Sequence, residues 1–319
     1  MILCLTSGKK QITIFVIGDS TAAEKNNPST NPERGWGMVL QGFFDEGVVV
    51  RNHAVNGRSS KSFMNEGRWQ KVLDQIKPGD YVLIQFGHND EKAGTDRHTA
   101  PGSTFDAYLT QYVNETRAHD GIPVLMSCVV RRNYFRQVDA TVDDESLRST
   151  TYTDEAVNSD TLVDTHGAYK DVPGQVAKAL KVPYIDANQI THDLEQSMGV
   201  IGSRKLHMWF RPGEVESIPD GRHDNTHYNI YGARRVAALL AEALAKVAPA
   251  LGKHVVYYDY VVSAQGRGNF MQLHDAVAAA PRAAKIYILD GSWTVSSKQL
   301  REKKLRLFAY PGAQVKRIK

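Results

Sequence analysis

Cysteine is nearly absent from this chain. Cys4 and Cys128 are the two among 319 residues. They are too few for a disulfide framework, and with no Cys-x-x-Cys pair they carry no zinc or thiol-redox signature. A dominant charge is lacking as well: 39 Lys and Arg stand against 35 Asp and Glu, a formal net charge of +4. That is no nucleic-acid signature by itself, since a concentrated basic patch would be needed; no nucleic-acid partner is expected, and the balance suits an anionic ligand in a local site. No apolar run reaches the ~18 residues of a membrane span, so no membrane partner is expected. The alanine-rich stretch from Val236 to Leu251 comes nearest, and Glu242 and Lys246 interrupt it. Met1–Leu5 is too short for the apolar region of a signal peptide, so an export signal is expected to be absent or truncated here. There is no internal repeat and no low-complexity tract. What is present, 42% hydrophobic and 23% charged residues, excludes disorder as the main state. The length allows one large or two modest domains.

From Ile12 to about Val247 short apolar runs alternate with amphipathic stretches. Ile12–Ile17, Val48–His53, Tyr81–Gln85, Pro123–Val130 and Val182–Ile185 read as buried strands. Trp36–Phe44, Gly67–Ile76, Thr104–Ala118, Tyr169–Leu180 and Ile230–Val247 read as helices. Apolar strands without strict alternation, separated by helices, imply a parallel sheet covered on both faces. The expected fold class is therefore α/β: a three-layer α/β/α domain on a five-stranded parallel sheet, with its site outside the carboxyl ends of the strands. The polar segment Asn133–Thr165 is either a functional excursion or a solvated insertion. Past Pro249 the character changes. Val255–Val262, Lys285–Leu289 and Leu305–Ala309 are strand-like, Met271–Ala279 is helix-like, and Gly and Pro mark the joins. The expected division is residues 1–249 and a mainly β segment, residues 250–319.

Four clusters of residues carry chemistry. Ser20, in Gly18-Asp19-Ser20-Thr21, falls just past the carboxyl end of the first strand, where a preceding glycine permits a sharp turn that exposes the hydroxyl. A serine there also serves as a plain helix N-cap. Gly57, after the second strand, is either a turn glycine or a backbone N–H aimed into the site as an oxyanion donor. Asn89, after the third strand in Gly87-His88-Asn89-Asp90, offers a side-chain amide at the same sheet edge, or closes an Asx turn. Asp224 and His227, three apart before the last helix, can turn a carboxylate and an imidazole toward one nucleophile. His223 and His227 stand four apart, but no HExxH pattern accompanies them, and no metal is expected.

Taken in this order, the four clusters resemble the SGNH (GDSL-type) hydrolase superfamily, whose blocks supply a serine, a glycine, an asparagine and a histidine. The likeness is closest to its rhamnogalacturonan acetylesterase-like branch. It is carried by Ile17 to Ala22, Arg34-Gly35-Trp36-Gly37, Asn52 to Ser62, Gln85 to Asp90, Pro123-Val124 to Arg132 and Asp224 to Gly232. The resemblance implies a flavodoxin-like fold and a secreted or periplasmic serine esterase that removes acetyl groups from pectin or related polysaccharide. Ser20, His227 and Asp224 would be the catalytic triad. The Ser20 and Gly57 N–H groups and the Asn89 amide would be the oxyanion hole, with no cofactor. Asp19, Arg58, His88 and Arg222 are the candidates for substrate binding. Arginine is suited to a carboxylate such as galacturonate's, and Lys61, Arg68, Lys92 and Arg97 add basic charge in the same loops. Trp36, Trp69 and Trp209 are candidates for stacking on sugar rings or for core. An acetylxylan esterase, a lipase for small or lipid acyl esters, and a non-catalytic carbohydrate-binding protein are the alternatives. The oligomeric state is not legible.

The tail resembles the opening of a pectin methylesterase, a right-handed parallel β-helix, through Val261 to Phe270, Leu273 to Val277 and Ile286 to Gly291. That family's catalytic carboxylates lie beyond the matched stretch, so no methylesterase activity is expected. A solenoid needs about three coils for stability. The tail must therefore dock on the main domain, self-associate or be partly disordered.

Overall fold

A computed structural model describes residues 2–4, 11–136 and 148–319. Its strands are β1 (Ile2–Cys4), β2 (Ile12–Gly18), β3 (Val48–Asn52), β4 (Tyr81–Gln85), β5 (Ile122–Met126), β6 (Arg148–Ser149), β7 (Tyr184–Ile185), β8 (His223–Asp224), β9 (Tyr260–Val262), β10 (Lys285–Ile288), β11 (Ser292–Ser296), β12 (Arg306–Ala309) and β13 (Gln314–Ile318). Five of them form a parallel sheet in the order β3-β2-β4-β5-β7.

The continuous apolar character of these strands follows from burial on both sides. Side chains alternate across the sheet. Ile14, Val16, Leu83 and Val124 meet Trp36, Val236 and Leu240 on one face. Phe15, Ile17, Val82 and Leu125 meet Phe63, Leu109, Val113 and Val176 on the other. The helices that close the first face are Trp36–Val39, Ala187–Gly202 and Ile230–Val247; those on the second include Ser60–Asn65, Arg68–Leu73, Thr104–Ala118 and Val172–Leu180. Strand order reverses beside β2, which pairs with both β3 and β4. A ligand crevice opens at such a point, outside the carboxyl ends.

The structure differs from the sequence reading in several places, three of which bear on the architecture. The fourth strand, expected to reach Val130, stops at Met126, because its neighbour β7 supplies only two rungs, Leu125↔Tyr184 and Met126↔Ile185. A helix over Ala187–Gly202 was not expected. Its buried face includes Asn188, Thr191 and Glu195, which blur the apolar period; Glu195 lies 2.9 Å from His207 Nε2. The Asp186 carboxylate accepts the Gln189 N–H at 3.1 Å and caps the start, so the Asp-x-x-Gln start signal was there to be read. The third difference concerns the division at residue 249. Strand β1, assigned by that division to the first unit, instead pairs parallel with β12.

The tail forms two parallel sheets, β1-β12-β10-β9 and β11-β13. Val262, Leu273, Val277, Ile286, Val295, Leu300 and Leu307 form their common core. Of the three fates expected for the tail, docking is the one found. Tyr287 donates its hydroxyl to the Phe44 carbonyl at 3.0 Å, and Tyr310 to that of Val48 at 3.2 Å. Arg34 Nε donates to the Gly266 carbonyl at 2.8 Å.

Candidate active site

The three strand ends and the loop before the last helix meet at one cleft of about 290 Å³. Strand β2 ends at Gly18, which approaches β4 so closely that a Cβ there would lie 2.6 Å from the Gln85 carbonyl oxygen. The chain then turns through Asp19 and sets Ser20 at the cleft. The turn is held from below: the fully buried Asp19 carboxylate accepts the Thr21 N–H at 2.9 Å and the Thr21 hydroxyl at 2.7 Å. Asp19 is therefore not a substrate contact as expected from the sequence. It faces inward and shapes the turn that carries Ser20.

Ser20 Oγ stands 2.9 Å from His227 Nε2. His227 Nδ1 stands 2.9 Å from Asp224 Oδ2. The other Asp224 oxygen accepts the backbone N–H groups of Thr226 and His227, both at 2.9 Å. Burial alone would raise the Asp224 carboxyl; the His227 ring, Arg222 and the backbone donors outweigh it and hold the group well below the usual carboxylate range. Asp224 belongs to β8, which pairs with β6 through Arg148↔Asp224 and Ser149↔His223. The described part of the polar excursion thus braces the loop that carries Asp224 and His227. Its Glu155 makes ion pairs with the buried Arg132 and with Arg204; residues 137–147 lie outside the described part.

Gly57 occupies a tight turn closed by the Arg58 N–H on the Val55 carbonyl at 3.3 Å. Its φ of +74° lies in the left-handed region that favours glycine. Asn89 Nδ2 donates to the Arg58 carbonyl at 3.2 Å. An amide nitrogen carries two hydrogens, so this bond fixes the side chain and leaves the second N–H for the cleft. Among the described residues, neither the Ser20 nor the Gly57 backbone N–H has a protein acceptor. Below Asn89, the buried Asp90 accepts the Ser60 hydroxyl at 2.5 Å and the Thr99 hydroxyl at 2.8 Å. Burial pushes the Asp90 carboxyl up to about 7 against those bonds.

The other expected substrate contacts are placed differently. Arg58 points to Glu66, with Nε 3.1 Å from each carboxylate oxygen, and does not line the cleft. His88 forms part of the cleft wall but is buried, its ring edge-on to His166 with centroids 4.5 Å apart. Burial, assisted by His166 and Arg131 and opposed by Asp19, pushes His88 below the usual imidazole value. Donor atoms of His88, Cys128 and His166 lie within 4.8 Å of one another. The His166 ring already faces Glu91 Oε2 at 3.1 Å and the Val129 carbonyl at 3.0 Å. The buried Arg131 pairs with Glu91 and brings a positive charge to the group. Trp36 and Trp69 are core residues, and Trp209 is covered by Arg204, whose guanidinium lies 4.2 Å from the ring centre.

Arg222 lines the cleft, but its charge is taken. Nη2 lies 2.5 Å from Asp224 Oδ2 and Nη1 3.3 Å from Glu33. Glu33 in turn pairs with Lys25 at 2.7 Å, and Lys25 donates to the Ser20 carbonyl at 2.6 Å and to Asn56 Oδ1 at 2.8 Å. Burial would raise Glu33, yet His227, Lys25 and Arg222 together hold it below its ordinary value. Neither Lys25 nor Glu33 was found by sequence reasoning. They are eight positions apart in a loop with no periodic signal, and only the neighbouring Arg34-Gly35-Trp36-Gly37 stretch pointed there.

This network gives a prediction. Arg222→Gln removes a cation that helps hold both Asp224 and Glu33 below their ordinary values, so both carboxylates are expected to titrate higher. The acid limb of the kcat/KM profile for an aryl acetate is expected to move to higher pH by roughly 0.5–2 units. An unshifted limb contradicts this account of Arg222.

The chain belongs to the GDSL-like Lipase/Acylhydrolase family, whose model matches residues 16–235. The parallel α/β fold and this family define a hydrolase of carboxylic esters. The chain is 40% identical over 248 residues to the rhamnogalacturonan acetylesterase RhgT of Bacillus subtilis, covering 78% of this chain and 96% of that protein. It is 44% identical over 78 residues to a rhamnogalacturonan acetylesterase of Emericella nidulans, covering 24% of this chain and 28% of that one. The crystal structure of protein YXIM of Bacillus subtilis shares the fold with a TM-score of 0.56 at 24% identity, over 74% of this chain and 57% of that one.

Proposed function

We propose that this esterase removes O-acetyl groups from an acidic plant cell-wall polysaccharide, rhamnogalacturonan or a related pectin, outside the cytoplasm. The observation that carries the reading is the Ser20–His227–Asp224 relay on the floor of a cleft lined by polar and charged side chains. Glu33, Asn56, Lys92, Arg97 and Arg222 surround it, and among the described residues no aliphatic or aromatic hydrocarbon side chain does. A cleft of that chemistry suits a small acyl group on a polyhydroxylated alcohol; a lipid chain would need apolar walls. The rhamnogalacturonan acetylesterases among the relatives, and the tail's likeness to a pectin methylesterase opening, support the pectic substrate.

The mechanism follows from the geometry. A serine hydroxyl is a weak nucleophile near neutral pH and needs an adjacent base. His227 Nε2 takes the Ser20 proton as Oγ attacks the acetyl carbonyl. Asp224 holds the ring's tautomer and stabilises the imidazolium. The oxyanion is received by the Ser20 and Gly57 N–H groups and the Asn89 amide. His227 then protonates the departing sugar oxygen, and water repeats the sequence on the acetyl-enzyme to release acetate. No step calls for a cofactor.

The test is acetate release from acetylated rhamnogalacturonan, acetylated xylan and an aryl acetate. The highest kcat/KM among the polysaccharides is expected on rhamnogalacturonan. A preference for xylan would move the substrate to a neutral polymer, and turnover of the aryl acetate alone would leave an esterase without a polysaccharide substrate.

A further inference from the structure

Several basic side chains lie in or near the cleft; Lys92 lines it and has a partner of its own, and the structure separates the others into those whose charge is already matched and one whose charge is held only weakly. Arg222 is matched by Asp224 and Glu33. Lys25 is matched by Glu33. Arg58 and Arg68 share Glu66 away from the cleft. Arg97 is different. Its ion pair is a 3.5 Å contact from Nε to Asp96, with side chains 40% and 75% exposed, a solvent-screened contact of little strength.

Its guanidinium nevertheless has a defined place. Arg97 lines the cleft, and Nη1 is 3.8 Å from where a Gly57 Cβ would sit. It therefore hangs over the glycine whose N–H faces the reacting carbonyl. The loop that carries it is tied down on both sides. The Arg97 N–H donates to the Gly94 carbonyl at 3.0 Å, the Thr99 N–H to that of Asp90 at 3.0 Å, and Lys61 Nζ to that of Thr95 at 2.7 Å.

We infer that Arg97 is the specificity-determining residue that reads a uronic-acid carboxylate, in place of Arg58 or Arg222; this inference rests on the acidic-polysaccharide reading above. A uronate ring separates its C6 carboxylate from an acetyl on O2 or O3 by about the width of one sugar. With the acetyl carbonyl at Ser20 and Gly57, the Arg97 guanidinium, 3.8 Å from the Gly57 Cβ position on the cleft wall, is within one sugar's reach of the reacting group. The planar guanidinium fork matches a carboxylate with two parallel hydrogen bonds. Asp96 is an exposed counter-ion that such a ligand displaces at little cost.

The test uses the full chain, wild type and Arg97→Gln, on three substrates: an acetylated galacturonate-containing oligosaccharide, the same oligosaccharide with its carboxylates methyl-esterified, and an aryl acetate. Wild type is expected to prefer the free acid. Arg97→Gln is expected to lose about ten- to a hundredfold in kcat/KM on the free acid, the range of a charge-assisted hydrogen-bond pair, and to lose much less on the other two. Arg97→Lys is expected to recover part of the loss. A free-acid preference that survives Arg97→Gln overturns the assignment of Arg97 while leaving the acidic-polysaccharide reading intact. An equal loss on all three substrates overturns it as well. Wild type that releases no acetate from the free-acid oligosaccharide overturns the substrate reading itself, and Arg97's role with it.

Discussion

Ser20→Ala is expected to lower kcat for acetyl ester hydrolysis by ~10⁴–10⁶ with little change in KM, the cost of removing a nucleophile from an intact relay. Ser20 Oγ has His227 Nε2 as its described side-chain partner. The turn that holds it depends on Asp19, Thr21 and Lys25. Loss of the hydroxyl therefore leaves the fold unchanged. Steady-state kinetics on an aryl acetate, with the melting temperature as the structural control, measure the effect. Because the relay acts as a unit, His227→Ala is expected to be about as damaging, and the double variant no worse than either single one. Additive losses would mean that the two residues serve separate steps.

Asn89→Ala is expected to cost ~10²–10³ in kcat, or about 2.7–4 kcal/mol of transition-state stabilisation. KM should stay close to wild type, because an oxyanion donor acts most strongly after the carbonyl becomes tetrahedral. The side chain is anchored by one bond to the Arg58 carbonyl, and Asn89→Asp distinguishes the functions. A carboxylate puts a negative charge where an oxyanion must form. Asn89→Asp should therefore be at least as poor as Asn89→Ala. A loss that appears in KM alone would assign Asn89 to ground-state binding.

Much of this architecture is legible from residues alone. The buried strands are short apolar runs because both sheet faces are covered, and Tyr81–Gln85 and Ile230–Val247 begin and end where pattern predicts. The candidate site is legible because its proposed catalytic groups follow strand ends: Ser20 after β2, Gly57 after β3, Asn89 after β4. What escaped had physical causes. The Ala187–Gly202 helix hides behind buried Asn188, Thr191 and Glu195. The charge on Arg222 reads as available until Asp224 and Glu33 are seen beside it. Asp19 reads as a site residue by position, while its side chain serves the turn. In each case a polar group also has a partner elsewhere in the chain, His207 for Glu195, Glu33 for Arg222 and His88 for Asp19, and no local pattern records that pairing.

The acetyl-enzyme is the point at which the account is most exposed. Acid-quenching the wild-type enzyme during turnover of an aryl acetate, followed by peptide mass spectrometry, locates the transferred group. The account predicts one acetyl group, on the peptide containing Ser20, that is absent from Ser20→Ala and removed by hydroxylamine. An acetyl group on another side chain, or wild-type turnover retained in Ser20→Ala, would contradict it.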